Sequence, residues 1–320
     1  MKRFICTIAL FLLGVAGGLM IISALYMQTQ NTRYVMHRED ILRYREMPEQ
    51  IDVAIFGNSH PNCAFRVKGI DPRNLFRFCY DGQQLFGDAA LYHAYADRIA
   101  PGGMVIFSVS DFSLEEDWED AHGADFLRHY LTILPFDDYP LAKMKWLRLF
   151  RAVDFDTRDV IAWVGEAINP EFCLIKEGYG EDSYLESVEP SSEAFDPHLL
   201  HSVQPEKMEP INQKKLELLE SLVKDAQNRG LRPVLLMTPC YKTYFQELDL
   251  AQAKKTIMAV EQMCKERQVP FLNYFTDERF IHQAEYFRDE GHLNQAGAEY
   301  FTPIAIGEMD AWYGRMEGQS

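Results

Sequence analysis

Two short stretches of the chain carry residue types that could act together as nucleophile and base. The first is Gly57-Asn58-Ser59-His60, which follows an apolar run and so stands where a strand would turn into a helix. A serine at such a turn projects its hydroxyl over the sheet edge. Nearby backbone N–H groups and the helix N-terminus can stabilise negative charge that develops on a substrate. Serine and asparagine are also common helix caps, and taken alone the tetrapeptide reads more often as a capped turn than as a nucleophile. The second stretch is Asp289-Glu290-Gly291-His292-Leu293-Asn294-Gln295-Ala296-Gly297-Ala298. An aspartate three residues before a histidine can hold the imidazole by a short local hydrogen bond. That bond sets the tautomer and leaves the other ring nitrogen to take the serine proton.

These groups need elements that bring them together. Short β-rich runs end in turn-forming residues at Asp52 to Phe56, Phe76 to Cys79, Met104 to Val109, Pro233 to Met237 and Val269 to Asn273. Helical patterns lie between them at Gly87 to Ile99, Lys214 to Asn228 (closing on Gly230) and Ala251 to Arg267. Alternating strands and helices with continuous apolar strands predict an α/β fold: a flavodoxin-like three-layer sandwich around a five-stranded parallel sheet. In that architecture functional groups gather outside the carboxyl ends of the strands, where the strand order reverses. Residues 51–316 form the predicted catalytic domain, with an insertion at about 113–212 that is rich in aromatics, acids and prolines and is placed to form a lid or wall.

Lys2 and Arg3 precede an apolar run from Phe4 to about Met27 that contains no charged residue. About 20 apolar residues cross the hydrocarbon core, whereas the apolar part of a secretory signal is usually ~7–15 residues long. Residues 1–27 therefore read as an uncleaved signal anchor with its basic end in the cytoplasm, with a cleaved signal peptide as the alternative, and residues 28–50 as a helical stalk. The domain beyond is expected outside the cytoplasmic membrane, single-pass and anchored.

The 320 residues include 47% hydrophobic and 25% charged, which suits a folded domain with a full core. A formal net charge of -16 disfavours nucleic acid as a partner, because a reader of phosphates needs a basic face. The six cysteines, Cys6, Cys63, Cys79, Cys173, Cys240 and Cys264, show no CxxC and no metal-like spacing. No metal or other cofactor is expected. His198 and His201 lack further ligands, and a glycine-rich phosphate loop is missing, which also disfavours a nucleotide-binding flavodoxin-like protein.

The GNSH after the first strand and the DxxHLNxxGAxxFT before the final helix resemble blocks I and V of the SGNH (GDSL-like) hydrolases. The likeness is greatest to their membrane-anchored branch, which includes the D-alanyl transfer protein of teichoic-acid modification and the alginate and peptidoglycan O-acetylation proteins. It covers roughly Asp52 to Thr302, with the insertion unmatched. The resemblance implies a catalytic triad of Ser59, His292 and Asp289, and an oxyanion hole from the Ser59 and Gly82 backbone. At block III the usual G-x-N-D aligns with Ser108-Val109-Ser110-Asp111, so Ser110 replaces an asparagine donor. Losing one such donor typically costs on the order of 10²- to 10³-fold in rate. Two further residues are candidate substrate contacts, each with an alternative: His60 could touch substrate or cap its helix, and Tyr241, like Tyr244, could stack on substrate or pack.

The resemblance implies an extracytoplasmic serine esterase or O-acyltransferase acting on cell-surface glycan esters, with an integral-membrane acyltransferase as a possible partner. The alternative is a non-catalytic or weakly catalytic accessory protein that binds glycan or that partner, a reading which Ser110 favours. The anchor predicts that the protein stays with membranes through high-salt washing. Release of a soluble form beginning near Gln28 would contradict retention.

Overall fold

In the computed structural model the apolar runs at the start of the chain become two kinds of element, a long helix and buried strands. The structure describes residues 2–26, 43–44, 46–65, 69, 71–115, 130, 133–134, 142–150, 157–169, 186–192, 196, 198–203, 211–246 and 248–318. The stalk expected over 28–50 lies outside them, apart from residues 43–44 and 46–50. Much of the insertion and Cys173 also lie outside.

Two compact units are present. One comprises Met1–Met47 and Asp120–Gly180 and contains helix α1 (Lys2–Tyr26). That helix is long and apolar enough to cross a membrane, with a mean hydropathy of 2.6 over an 18-residue window. The other unit, Pro48–Glu119 with Glu181–Ser320, carries the sheet.

The sheet unit begins with β1 (Ile51–Gly57), α2 (Ser59–Ala64), β2 (Leu75–Cys79), α3 (Leu85–Tyr95) and β3 (Ile99–Ser108). In the first unit, α4 (Ala142–Leu149) and α5 (Thr157–Ile168) turn part of the expected insertion into helix. The sheet unit resumes with α6 (His198–Ser202), α7 (Gln213–Asn228), β4 (Arg232–Met237), α8 (Leu250–Arg267) and β5 (Phe271–Asn273), then β6 (Phe287–Asp289), β7 (His292–Leu293) and α9 (Gln295–Glu317). The main sheet has five parallel strands in the order β2-β1-β3-β4-β5. The order reverses between β1 and β3, which puts the switch point of this doubly wound sheet at the carboxyl end of β1.

Burial along β1, complete except at half-buried Asp52, follows from helices on both faces of the sheet. On one face Val53, Ile55, Met104, Ile106, Val234 and Leu236 pack with Phe65 at the end of α2 and with Phe301, Ala305 and Met309 of α9. On the other face Phe56 stacks on Phe78 at 4.7 Å and meets Tyr92 of α3 edge-on at 5.8 Å. Fully burying one such ring contributes roughly 1.5–3 kcal/mol, so β1 is held rigidly where it delivers the next residues.

Gly57 ends β1 at φ +143°, a conformation that side chains rarely adopt. An added Cβ would stand 2.7 Å from Pro61 Cγ and 3.1 Å from Ser108 Cβ. Both strain and crowding oppose any other residue there. Gly57→Ala is expected to lower stability by about 2 kcal/mol or more, read from the urea midpoint. A change within about 0.5 kcal/mol, the level of a neutral surface substitution, would show that this turn is not constrained.

Candidate active site

Asn58 leaves the strand in extended conformation, and its side-chain Oδ1 accepts the His60 N–H at 3.1 Å, capping α2. This cap makes Ser59 the first residue of the helix, half-buried at the sheet edge. Its Oγ lies 2.8 Å from His292 Nε2, and His292 Nδ1 lies 2.7 Å from Asp289 Oδ1.

The spacing of Asp289 and His292 has a structural cause that periodicity did not reveal. The segment is a hairpin: β6 and β7 pair antiparallel, with Asp289 opposite His292 across the two-residue connection Glu290-Gly291. Residues opposite each other project to the same face and so meet directly. The Gly291 N–H also donates to Asp289 Oδ1 at 3.1 Å, and Arg288 Nε donates to Oδ2 at 3.4 Å. The hairpin is braced from outside, since Tyr241 N–H donates to the Glu290 carbonyl at 2.8 Å. Asn294 caps α9 by accepting the Gly297 N–H at 2.9 Å, while its amide donates to the Glu285 carbonyl at 2.8 Å. Gly297 is required by close approach, because a Cβ there would come within 2.1 Å of the Tyr286 carbonyl.

Burial alone would raise the Asp289 carboxyl. The hydrogen bond and charge of His292, the charge of Arg288 and the Gly291 N–H outweigh that effect and hold it at about 2. The group is therefore ionised near neutrality, and an ionised carboxylate only accepts. It follows that Nδ1 of His292 carries the ring hydrogen, and Nε2 accepts from the Ser59 hydroxyl.

His60 is buried, with its ring 4.8 Å from His292 and 6.1 Å from both Tyr244 and Phe112. Burial, followed by the neighbouring His292, pushes its pKa down to about 3, so it stays neutral beside the base. Tyr241 does not reach the site surface. It is 1% exposed, its ring packs toward Phe287 at 5.8 Å and its hydroxyl accepts the Ser191 N–H at 3.0 Å. The substrate contact expected of Tyr241 is corrected to a packing role. Half-buried Tyr244 takes the place beside the site, with its ring against Gly291 and its hydroxyl donating to Asp111 Oδ1 at 3.0 Å. Asp111 is raised to about 6 by burial, opposed by that bond.

Gly82, at φ +72°, lies in the turn after β2, and Ser110 follows β3. Because β2, β1 and β3 are neighbours in register, with Gly57 beside Cys79 and Phe56 beside Phe107, the turns bearing Gly82, Ser59 and Ser110 leave the same sheet edge. The Ser110 hydroxyl accepts a hydrogen bond from Asn58 Nδ2 at 2.8 Å. Asn58, which sequence reasoning used only as a turn residue, thus links the nucleophile turn to the end of β3. Among the described residues no group of three His, Cys, Asp or Glu side chains is arranged to hold a metal.

No family model matches the chain, and no curated protein matches it. Solved structures with some likeness include a candidate acylhydrolase from Bacteroides fragilis NCTC 9343, with TM-score 0.37 and 11% identity over 84% of this chain and 94% of that one. A GDSL-like lipase from Bacteroides thetaiotaomicron VPI-5482 has TM-score 0.37 and 12% identity over 85% and 97%. A likeness of this size assigns neither fold nor chemistry, and both rest on the chain's own sheet and site.

A folded pKa held below the ordinary carboxylate value contributes stability above that value and loses it as pH falls through the folded one. Asp289→Asn is therefore expected to be less stable than wild type at neutral pH, with the difference closing between about pH 4 and pH 2. Paired urea midpoints across this range would check it. A gap that persists unchanged to pH 2 would mean that the Asp289 charge is not what matters.

Proposed function

We propose that the chain is a serine esterase or O-acyltransferase acting on cell-surface glycan esters from outside the cytoplasmic membrane. The observation that carries this reading is the unbroken hydrogen-bond chain from Ser59 through His292 to Asp289 at the carboxyl end of β1. The motif resemblance and the apolar helix α1 support the surface-polymer assignment over digestion of free lipid.

Ser59 Oγ attacks the ester carbonyl carbon while its proton passes to His292 Nε2, and the carbonyl oxygen becomes an oxyanion. The Ser59 and Gly82 backbone N–H groups, with the Ser110 hydroxyl, are the donors this reading assigns to it. Ser110 already accepts from Asn58, so its own hydrogen is left to donate. Collapse breaks the ester C–O bond, and the departing alkoxide takes the proton from His292. A water or a sugar hydroxyl then attacks acyl-Ser59 and gives its proton to His292; collapse breaks the acyl–Oγ bond, and Ser59 Oγ takes that proton back from His292. Water yields the free acid and a sugar hydroxyl yields a new ester. Asp289 stays ionised throughout and stabilises the imidazolium that forms in each half-reaction.

A fluorophosphonate probe should label the wild-type protein at Ser59. Labelling and turnover of an aryl acetate are both expected to fall by about 10³-fold or more in Ser59→Ala and His292→Ala, with circular dichroism unchanged. Equal labelling of wild type and Ser59→Ala would remove Ser59 from the mechanism and leave the accessory reading in its place.

A further inference from the structure

One buried acid beside the site has no role in the steps above. Asp88 lies in the first turn of α3, only 5% exposed, between that helix and the ends of β1 and β2. Its Oδ1 accepts from Gln83 Nε2 at 2.5 Å, and the Gly57 N–H also donates to its carboxyl. Gln83, itself 3% exposed, is tied at two further points. Its Nε2 donates to the Phe78 carbonyl at 2.8 Å, and its backbone N–H closes the turn to the Tyr80 carbonyl at 3.0 Å. That turn holds Gly82, and Gly57 stands two residues before Ser59.

A carboxyl buried between helix and sheet is unfavourable unless it is hydrogen-bonded, and an apolar side chain of similar volume would avoid the penalty. What a carboxylate offers here, and an apolar group does not, is two acceptor oxygens for donors on two different segments. One segment ends in the nucleophile and the other contains the glycine assigned to the oxyanion. Building on the esterase reading, we propose that Asp88 is a positioning residue which, through Gln83 and the Gly57 N–H, sets the spacing between the Ser59 turn and the Gly82 turn.

The brace depends on the carboxyl's charge. Burial raises Asp88 to about 7, against the opposing bonds from Gln83 and Gly57. The groups facing it are neutral: Gln83 and the Gly57 N–H hold it, and Asn58, Ser108 and Ser113 line the small cavity alongside. A carboxylate accepts at both oxygens, whereas the protonated group keeps one plain acceptor and turns the other oxygen into a donor. The ionised group therefore holds these donors most strongly above about pH 7, and protonation weakens that hold below it. Asparagine resembles the protonated form, since an amide has a single acceptor oxygen.

The test is steady-state hydrolysis of an aryl acetate by the full chain and by two variants, Asp88→Asn and Gln83→Met, across pH 5.5 to 8.5. At pH 8 both variants are expected to lose about 10-fold in kcat with KM nearly unchanged, because donor misplacement matters chiefly in the transition state. The ratio of wild-type to Asp88→Asn rates is expected to rise through pH 7 from near one, and taking the ratio cancels ionisations common to both proteins. A merely structural role would lower the urea midpoint and leave kcat per folded molecule and the ratio unchanged, which would overturn the inference. If Asp88→Asn does not fold, Gln83→Met decides by its kcat. Wild-type protein that neither turns over the acetate nor takes up a fluorophosphonate would overturn the esterase reading, and this inference with it. A competent wild type indifferent to both substitutions would overturn the inference alone.

Discussion

The His292 imidazole is held at both of its nitrogens, and most of the surrounding structure follows from that double constraint. One nitrogen must face a carboxylate and the other a hydroxyl, so the ring plane and tautomer are both specified. The carboxylate comes from the neighbouring strand of a two-residue hairpin, which makes their alignment a local matter. The hydroxyl comes from a residue 233 positions away in the chain and depends on the register of the main sheet. Supports converge on the hairpin accordingly: the Tyr241 N–H on Glu290, the Asn294 cap behind it and the close packing at Gly297.

Electrostatics around the ring show a second pattern. Of the acids that crowd the carboxyl edge, Asp289 is held down at about 2, while Asp111 is raised to about 6 and Asp88 to about 7. His60, packed against the base, is pushed down to about 3 and carries no charge. Burial thus shifts Asp111, Asp88 and His60 toward their neutral forms, whereas Asp289, bonded to His292, is shifted toward its charged form. For a chain with net charge -16 this matters on the proposed esterase reading, because each further carboxylate near the oxyanion that reading requires would oppose it.

Much of the fold was legible because a parallel sheet covered on both faces leaves continuous apolar runs, and each of the five runs coincides with a strand to within a few residues. The largest difference is β3, which begins at Ile99 and not near Met104, because Ala100-Pro101-Gly102-Gly103 reads as a turn yet continues the strand. Helices α4 and α5 lie in the stretch read only as an insertion, because its aromatics, acids and prolines do not follow the strand–helix alternation. The hairpin holding Asp289 and His292 was invisible for another reason: strands of two or three residues have no periodicity to detect. Tyr241 and Tyr244 could not be told apart by type, since only the path of the 3-10 turn Lys242–Gln246 decides which ring is buried. Asp88 looked like an ordinary acid in a helix's first turn, and its burial is a property of tertiary packing alone.

Ser59 and His292 are 233 residues apart in the chain, with four of the five sheet strands between them. During synthesis the turn bearing Ser59 therefore emerges well before the imidazole that bonds it. A chain cut anywhere between the two carries the serine without its hydrogen-bond partner. On the proposed esterase reading such a fragment is chemically silent.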